Sequence, residues 1–154
     1  MPKIDIDKAP TRFGTTYPAP YDEPCRGRKR WKLGDVVGLT DFGVSLMRLA
    51  PGVWTSQRHW HTHEDEFVWV LEGEVVCVED DGDHLLGPGD AIGWKAGSTN
   101  AHCLQNRSDR DAVYLEIGTR RPDIDACDYP DIDMVARAGE PGYRHRDGTP
   151  YPEE

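Results

Sequence analysis

Across 154 residues there is no run of about 18 consecutive apolar side chains, so no transmembrane helix is expected. The first residues, Met1 to Lys8, lack the apolar core of a secretory leader, and none is expected. No phosphate-cradling glycine loop, G-x-S-x-G elbow, G-x-G-x-x-G turn or C-x-x-C pair occurs. That removes the common nucleotide-binding, serine-hydrolase and dithiol chemistries. The four cysteines, Cys25, Cys77, Cys103 and Cys127, are scattered, as expected of a cytoplasmic protein with reduced thiols. Positive charge is short: 18 Lys and Arg against 28 Asp and Glu give a formal net charge of -10. A general nucleic-acid or anionic-membrane partner needs a basic face, so neither is expected. Sustained helical periodicity is missing as well. Met134 to Ala138 is the one stretch that reads as a helical turn or two.

What the sequence has in quantity is turn residues, with 16 Gly and 12 Pro, as many short strands require. Short apolar runs recur from Val36 onward: Val36 to Leu39, Val44 to Leu49, Phe67 to Leu71, Val75 to Val78, Leu85 and Leu86, Ala91 to Trp94, Cys103 and Leu104, and Ala112 to Ile117. Turn signals such as Pro51-Gly52, Asp81-Gly82 and Pro88-Gly89 separate them. About eight strands at this spacing predict an all-β sandwich or barrel over residues 36–121. Residues 1–35 read as an extended N-terminal arm with one short strand, ending in a basic strand or loop. That arm is expected to lie on its own barrel or on a partner subunit. Residues 122–154 read as an irregular C-terminal tail that wraps the same domain, ordered by Tyr129, Tyr143 and Tyr151.

The one basic cluster, Arg26 to Lys32, admits two readings. It could contact phosphate or nucleic acid, with Trp31 as a stacking platform. Its shortness in an acidic chain favours a solvated strand and loop or a salt-bridged patch.

The chemistry concentrates between His59 and Gly73. In a strand, His59 and His61 point the same way and can grip one ion. Glu66 has the wrong parity for an unbroken strand, so a tight connection over Thr62 to Asp65 is expected, with Glu66 opening the next strand. Val68 and Val70 then face inward, and Phe67, Trp69 and Leu71 face the other way. His102 is the candidate fourth ligand from another strand. Three imidazoles and one carboxylate suit Zn, Mn, Fe, Ni, Co or Cu rather than Mg or Ca, and leave room for water or substrate. His63 is open to three readings: a ligand displacing His59, a proton shuttle at the rim, or, in preference, a polar loop residue. Glu64 and Asp65 could orient histidine N–H groups or be solvated. His84 and His145 read as surface, and Cys103 as a packed thiol.

The pattern Gly52-x6-His59-x-His61-x4-Glu66-x6-Gly73 resembles the first cupin motif, G-x5-H-x-H-x3–4-E-x6-G. Gly89-x5-Lys95-x-Gly97-x4-His102-x3-Asn106 resembles the second, G-x5-P-x-G-x2-H-x3-N. The 15-residue spacing between them is that of small bacterial cupins. The flanks also resemble single-domain bacterial cupins without an assigned function. The resemblance implies a jelly-roll β-barrel, His59, His61, Glu66 and His102 as ligands of a divalent transition metal, and a homodimer. It departs at Lys95, which replaces the family's proline, at one extra residue before His59, and at a longer loop before His102.

Three functions then compete. The first is a metalloenzyme on a small organic substrate, of isomerase, lyase or dioxygenase type, with His63, Glu64 or Tyr114 as the pocket base. The second is a metal-assisted module that binds a sugar or carboxylate without turnover. The third is a structural domain with a vestigial site. The enzyme is preferred, because an open coordination position is costly to keep in a barrel core.

Overall fold

Strands make up nearly all the regular structure in this computed structural model, which describes residues 3–152. In chain order they are β1 (Thr11–Phe13), β2 (Arg28–Lys32), β3 (Phe42–Leu49), β4 (Trp60–His61), β5 (Glu66–Glu72), β6 (Val75–Glu79), β7 (Gly82–Leu86), β8 (Ala91–Trp94), β9 (Cys103–Gln105), β10 (Ala112–Thr119), β11 (Cys127–Tyr129) and β12 (Met134–Ala136). One face of the molecule is a six-stranded sheet in the order β1-β2-β3-β10-β5-β8. Two three-stranded sheets, β12-β11-β4 and β7-β6-β9, form the other. They join through backbone bridges pairing His59 with His102 and Trp54 with Gln105. The result is the expected jelly roll of two facing sheets.

Strand alternation sets what lies between the sheets. From β3, Met47 and Leu49 turn inward; from β5, Val68 and Val70; from β6, Val75 and Cys77. With Leu104, Ala112 and Tyr114 they form the main core. The opposite side of β5 is left open, with Phe67 42%, Trp69 47% and Leu71 39% exposed. No helix among the described residues is long and apolar enough to cross a membrane. All four cysteines are buried free thiols.

Two local expectations are overturned. Val36 to Leu39 is not a strand: α1 (Leu33–Val36) is a single helical turn, and the N–H groups of Val37, Gly38 and Leu39 bond back to Gly34 and Asp35. Gly38, at φ 71°, lets the chain reverse there. Met134 to Ala138 is not helical either. Met134 to Ala136 pair with Tyr129 to Cys127, because that register buries Met134 against the tyrosines. This tyrosine cluster is a second core. Tyr17 and Tyr21 from the arm meet Tyr129, Tyr143 and Tyr151 from the tail, with Tyr17 edge-on to Tyr129 at 5.5 Å. The arm lies on its own sheet, β1 pairing with β2 in the register Arg12 to Arg30.

Tyr114 is wholly buried in the main core, and its hydroxyl has no hydrogen-bond partner among the described residues. Burial pushes its pKa well above the ordinary tyrosine value. Removing an orphaned buried hydroxyl relieves a desolvation cost. Tyr114→Phe is therefore expected to leave stability unchanged or raise it by up to about 1 kcal/mol, read as a thermal midpoint that does not fall.

Candidate metal centre

Reciprocal backbone hydrogen bonds, His59 N–H to His102 O at 3.1 Å and His102 N–H to His59 O at 2.9 Å, hold the two histidines directly opposite each other. His61 follows two residues after His59 and pairs with Cys127 of β11. The chain then crosses between sheets, and Glu66 opens β5 on the facing one. The expected connection over Thr62 to Asp65 is present, and each of its residues is tied down. Thr62 exchanges hydrogen bonds with the Ala126 backbone. The His63 N–H donates to Asp125, and the Arg121 N–H donates to Glu64. Asp65 accepts from the Ala96 N–H and from Lys95 Nζ, both at 2.8 Å. Lys95, where the resembled motif has proline, thus anchors the crossing.

Three imidazoles converge on one carboxylate. His102 Nε2 lies 2.6 Å from Glu66 Oε2, and His59 Nε2 and His61 Nε2 lie 3.5 and 3.6 Å from Oε1. The other ring nitrogen of each histidine faces an acceptor. His59 Nδ1 is 2.9 Å from the Gln57 carbonyl, His61 Nδ1 is 2.7 Å from Asp125 Oδ2, and His102 Nδ1 is 3.2 Å from the Asn100 carbonyl. These oxygens only accept, so each Nδ1 carries a proton, and each Nε2 faces Glu66 either as the lone pair of a neutral ring, free to take a metal, or as the N–H of an imidazolium. Lone pairs against a carboxylate repel unless a cation lies among them. Ligand atoms about 2.1 Å from one ion stand about 3.0–3.4 Å apart, which the 2.6–3.6 Å separations bracket. His59, Glu66 and His102 offer ligand atoms within 4.8 Å of one another and fit a divalent transition ion, with His61 Nε2 beside them at 3.6 Å from Glu66.

The charges around the site are strongly perturbed. Burial opposes ionisation of Glu66, but hydrogen bonds from His102 and His59 outweigh it and hold the carboxyl well below its usual range. Burial also opposes protonation of His61, yet the Asp125 hydrogen bond and the Glu66, Asp125 and Glu64 charges raise it to about 9. Glu64 is drawn upward, chiefly by burial. Cys127 Sγ stands near the ligand atoms of His59 and His61. Burial pushes its thiol up.

These groups sit in a cavity of about 510 Å³ that also takes in Trp94, Glu116 and a series of cations from the N-terminal strands. That is the size of a small-molecule site. The candidate bases separate here: Glu64 lines the cavity, while His63, exposed and bonded through Nδ1 to Thr62, does not, and neither does core-bound Tyr114. His84 and His145 pair with Asp81 and Asp133 away from the cavity, as expected. Cys103 is buried, with its thiol raised to about 11 by burial, in keeping with a packed thiol.

Sequence reasoning missed three contributors. Asp125 orients His61 but belongs to an aperiodic acidic tail. Trp94 stacks on His102, with ring centroids 3.6 Å apart and planes 4° apart. Glu116 pairs with Arg30 at 2.7 Å inside the cavity. The basic cluster is a strand, ion-paired at Arg30 as the salt-bridged reading expects, but Arg28, Arg30 and Lys32 line the cavity instead of standing in solvent. Their two-residue spacing was the signal.

The cupin domain family matches residues 45–118. No curated protein matches the chain. Among solved structures, a sugar phosphate isomerase of the cupin superfamily from Silicibacter pomeroyi is 41% identical, with a TM-score of 0.90, over 98% of this chain and 97% of that one. A candidate sugar phosphate isomerase from Acidithiobacillus ferrooxidans is 30% identical, with a TM-score of 0.71, over 82% of this chain and 81% of that one. The polyketide cyclase RemF from Streptomyces resistomycificus, at 21% identity and a TM-score of 0.61 over 77% of this chain and 79% of its own, shares the fold.

Proposed function

The chain belongs to the cupin superfamily, and from that premise we propose that it is a metal-dependent isomerase acting on a phosphorylated sugar. The observation that supports the metal is the convergence of three Nε2 atoms on Glu66, each ring oriented by an acceptor at Nδ1. His59, His61, Glu66 and His102 are its ligands in this reading. Support for the isomerase comes from the relative matched along nearly the whole chain.

Sugar isomerisation moves one proton from a hydroxyl-bearing carbon to the neighbouring carbonyl carbon and another between the two oxygens. Nothing is oxidised or reduced overall, so no co-reactant is needed. A divalent ion held by His59, His61, Glu66 and His102 would supply Lewis-acid polarisation of the carbonyl. Glu64 is the proton carrier: it lines the cavity, and its raised pKa moves it toward the range where a carboxylate exchanges protons. The Arg121 N–H fixes one of its oxygens, and the other stands 3.9 Å from His61 Nδ1. Asp125 keeps His61 in one tautomer, and Trp94 holds the His102 ring plane.

The test is metal-stripped protein reloaded with Zn, Mn, Fe, Co, Ni or Cu and given phosphorylated aldoses and ketoses in D2O. The expected result is metal-dependent loss of the carbon-bound proton signal beside the carbonyl, without oxygen uptake. Stoichiometric oxygen uptake, or no exchange with any of the six ions, overturns the reading. Glu64→Gln is expected to lower kcat by about a hundredfold or more with metal content unchanged.

The superfamily premise also carries a homodimer. The open outer face of β5, with Phe67, Trp69 and Leu71, is where a second copy seats. Light scattering is expected to give the mass of two chains, and Trp69→Glu the mass of one.

A further inference from the structure

Strand alternation places Arg28, Arg30 and Lys32 on one face of β2. Their partners on β3 are Leu49, Met47 and Ser45, all buried, so that face is the inner one. Arg12 of β1 stands directly across from Arg30, within the about 5 Å between Cβ atoms that cross-strand partners keep. All four cations line the cavity that holds the histidines.

Their counter-charge is short. Arg30 pairs with Glu116. Arg28 is only 8% exposed, yet its partners are the carbonyl oxygens of Gly14 and Thr55, and no carboxylate reaches it among the described residues. A buried guanidinium without an opposite charge is costly. Arg12 and Lys32 likewise have no ion pair among the described residues. A fifth cation, Arg120, pairs with Asp35 at 3.6 Å and lies against Gly43, where a Cβ would come 2.6 Å from its Nε. Gly43 thus leaves room for a guanidinium at the cavity wall. In a chain of net charge -10, four inward cations facing one acid are a local reversal of sign. Glu64, Glu66 and Asp125 make the histidine end of the same cavity acidic.

We infer that the inner face of the β1–β2 hairpin is an anion subsite that takes the phosphate monoester of the substrate, with Arg12, Arg28, Arg30 and Lys32 as its binding residues. The identity of the substrate rests on the isomerase reading; the preference for an anion rests on these side chains. The substrate then lies across the cavity, its phosphate on the hairpin and its reacting carbons beside Glu64 and the histidines. Glu116 holds Arg30 against β10 and, as an anion, keeps more acidic ligands from the centre of the cavity. The phosphate is anchored on the hairpin and is not consumed.

Arg12 and Lys32 make no side-chain hydrogen bond or ion pair among the described residues, so replacing them breaks no polar contact of the fold. Inorganic phosphate is the first probe, titrated by calorimetry into the metal-loaded wild type, the Arg12→Ala/Lys32→Ala double variant and His59→Ala. The double variant is expected to bind phosphate about tenfold more weakly or worse, as loss of charge-assisted contacts implies. His59→Ala is expected to retain phosphate binding, as a site built from the hairpin cations rather than from the metal requires. With sugars, KM for the phosphorylated substrate is expected to rise by the same factor in the double variant, kcat staying within a few-fold, while KM for the unphosphorylated sugar does not move. Unchanged phosphate affinity in the double variant, or loss of binding in His59→Ala, overturns the subsite. The two readings fail separately: absence of proton exchange with every ion removes the isomerase, whereas the phosphate titration judges the hairpin without turnover.

Discussion

Glu66→Gln is expected to weaken divalent-metal binding by about a hundredfold or more, measured by competition against a chelator and by metal content after dialysis. Structural metal sites yield roughly 10–16 kcal/mol over four ligands, so about 3 kcal/mol is a fair share for one. Glu66 also carries the only negative charge in the proposed ligand set, and all three Nε2 atoms point at it. The amide keeps the volume and removes the charge. Without metal the carboxylate still stabilises the fold, because, against burial, His102 and His59 hold its pKa well below the usual range. The metal-free variant should therefore be less stable than metal-free wild type at neutral pH, the difference shrinking as pH falls through the carboxyl range. Its thermal midpoint should rise less when metal is added, since a ligand stabilises in proportion to how tightly it binds the folded state. Asp125→Asn should lie between the two, about tenfold to a hundredfold weaker in metal affinity, because it orients His61 without being in the ligand set. Unchanged metal affinity in Glu66→Gln would remove the carboxylate from the site.

What could be read in the sequence followed its periodicities. The two-residue spacing of His59 and His61, the parity break before Glu66 and the inward Val68 and Val70 all appear in the structure as the strand pattern implies. The jelly roll was legible because short apolar runs alternate with turns that can hardly be anything else. The helical turn at Leu33–Val36 was not, since four residues carry too little period to separate helix from strand. Met134 to Ala136 became a strand because β11 offered a partner and a tyrosine pocket, both tertiary facts. Asp125 was illegible for a like reason. It reaches His61 from 64 residues away, out of a stretch where acids and prolines follow no rule. The inward arginines are the instructive case. Their charge argued for solvent, while their spacing placed them on one face, and the face turned out to be the inner one.

The glycines that bracket the first motif look equivalent in sequence and are not so in space. Gly52 and Gly73 both have positive φ, 82° and 69°. Around Gly52 a Cβ would meet nothing within 4 Å. At Gly73 a Cβ would come 2.4 Å from the Asp111 carbonyl oxygen and 3.0 Å from the Ala112 Cα, both backbone atoms that cannot swing aside. Gly73 makes the turn from β5 to β6, and β10 begins against it at Ala112. Gly52→Ala should therefore cost only the left-handed strain, about 1 kcal/mol. Gly73→Ala adds the clash, which must push the β5–β6 turn off the start of β10, for a total of about 3 kcal/mol or more. For a chain of this length that corresponds to a fall of about 10 °C in Tm, against about 3 °C for Gly52→Ala, followed by circular dichroism. Metal affinity of the folded Gly73→Ala protein should change little, because the strain falls at the far end of β5 from Glu66. Equal losses at the two positions would mean that close backbone approach is not what Gly73 provides.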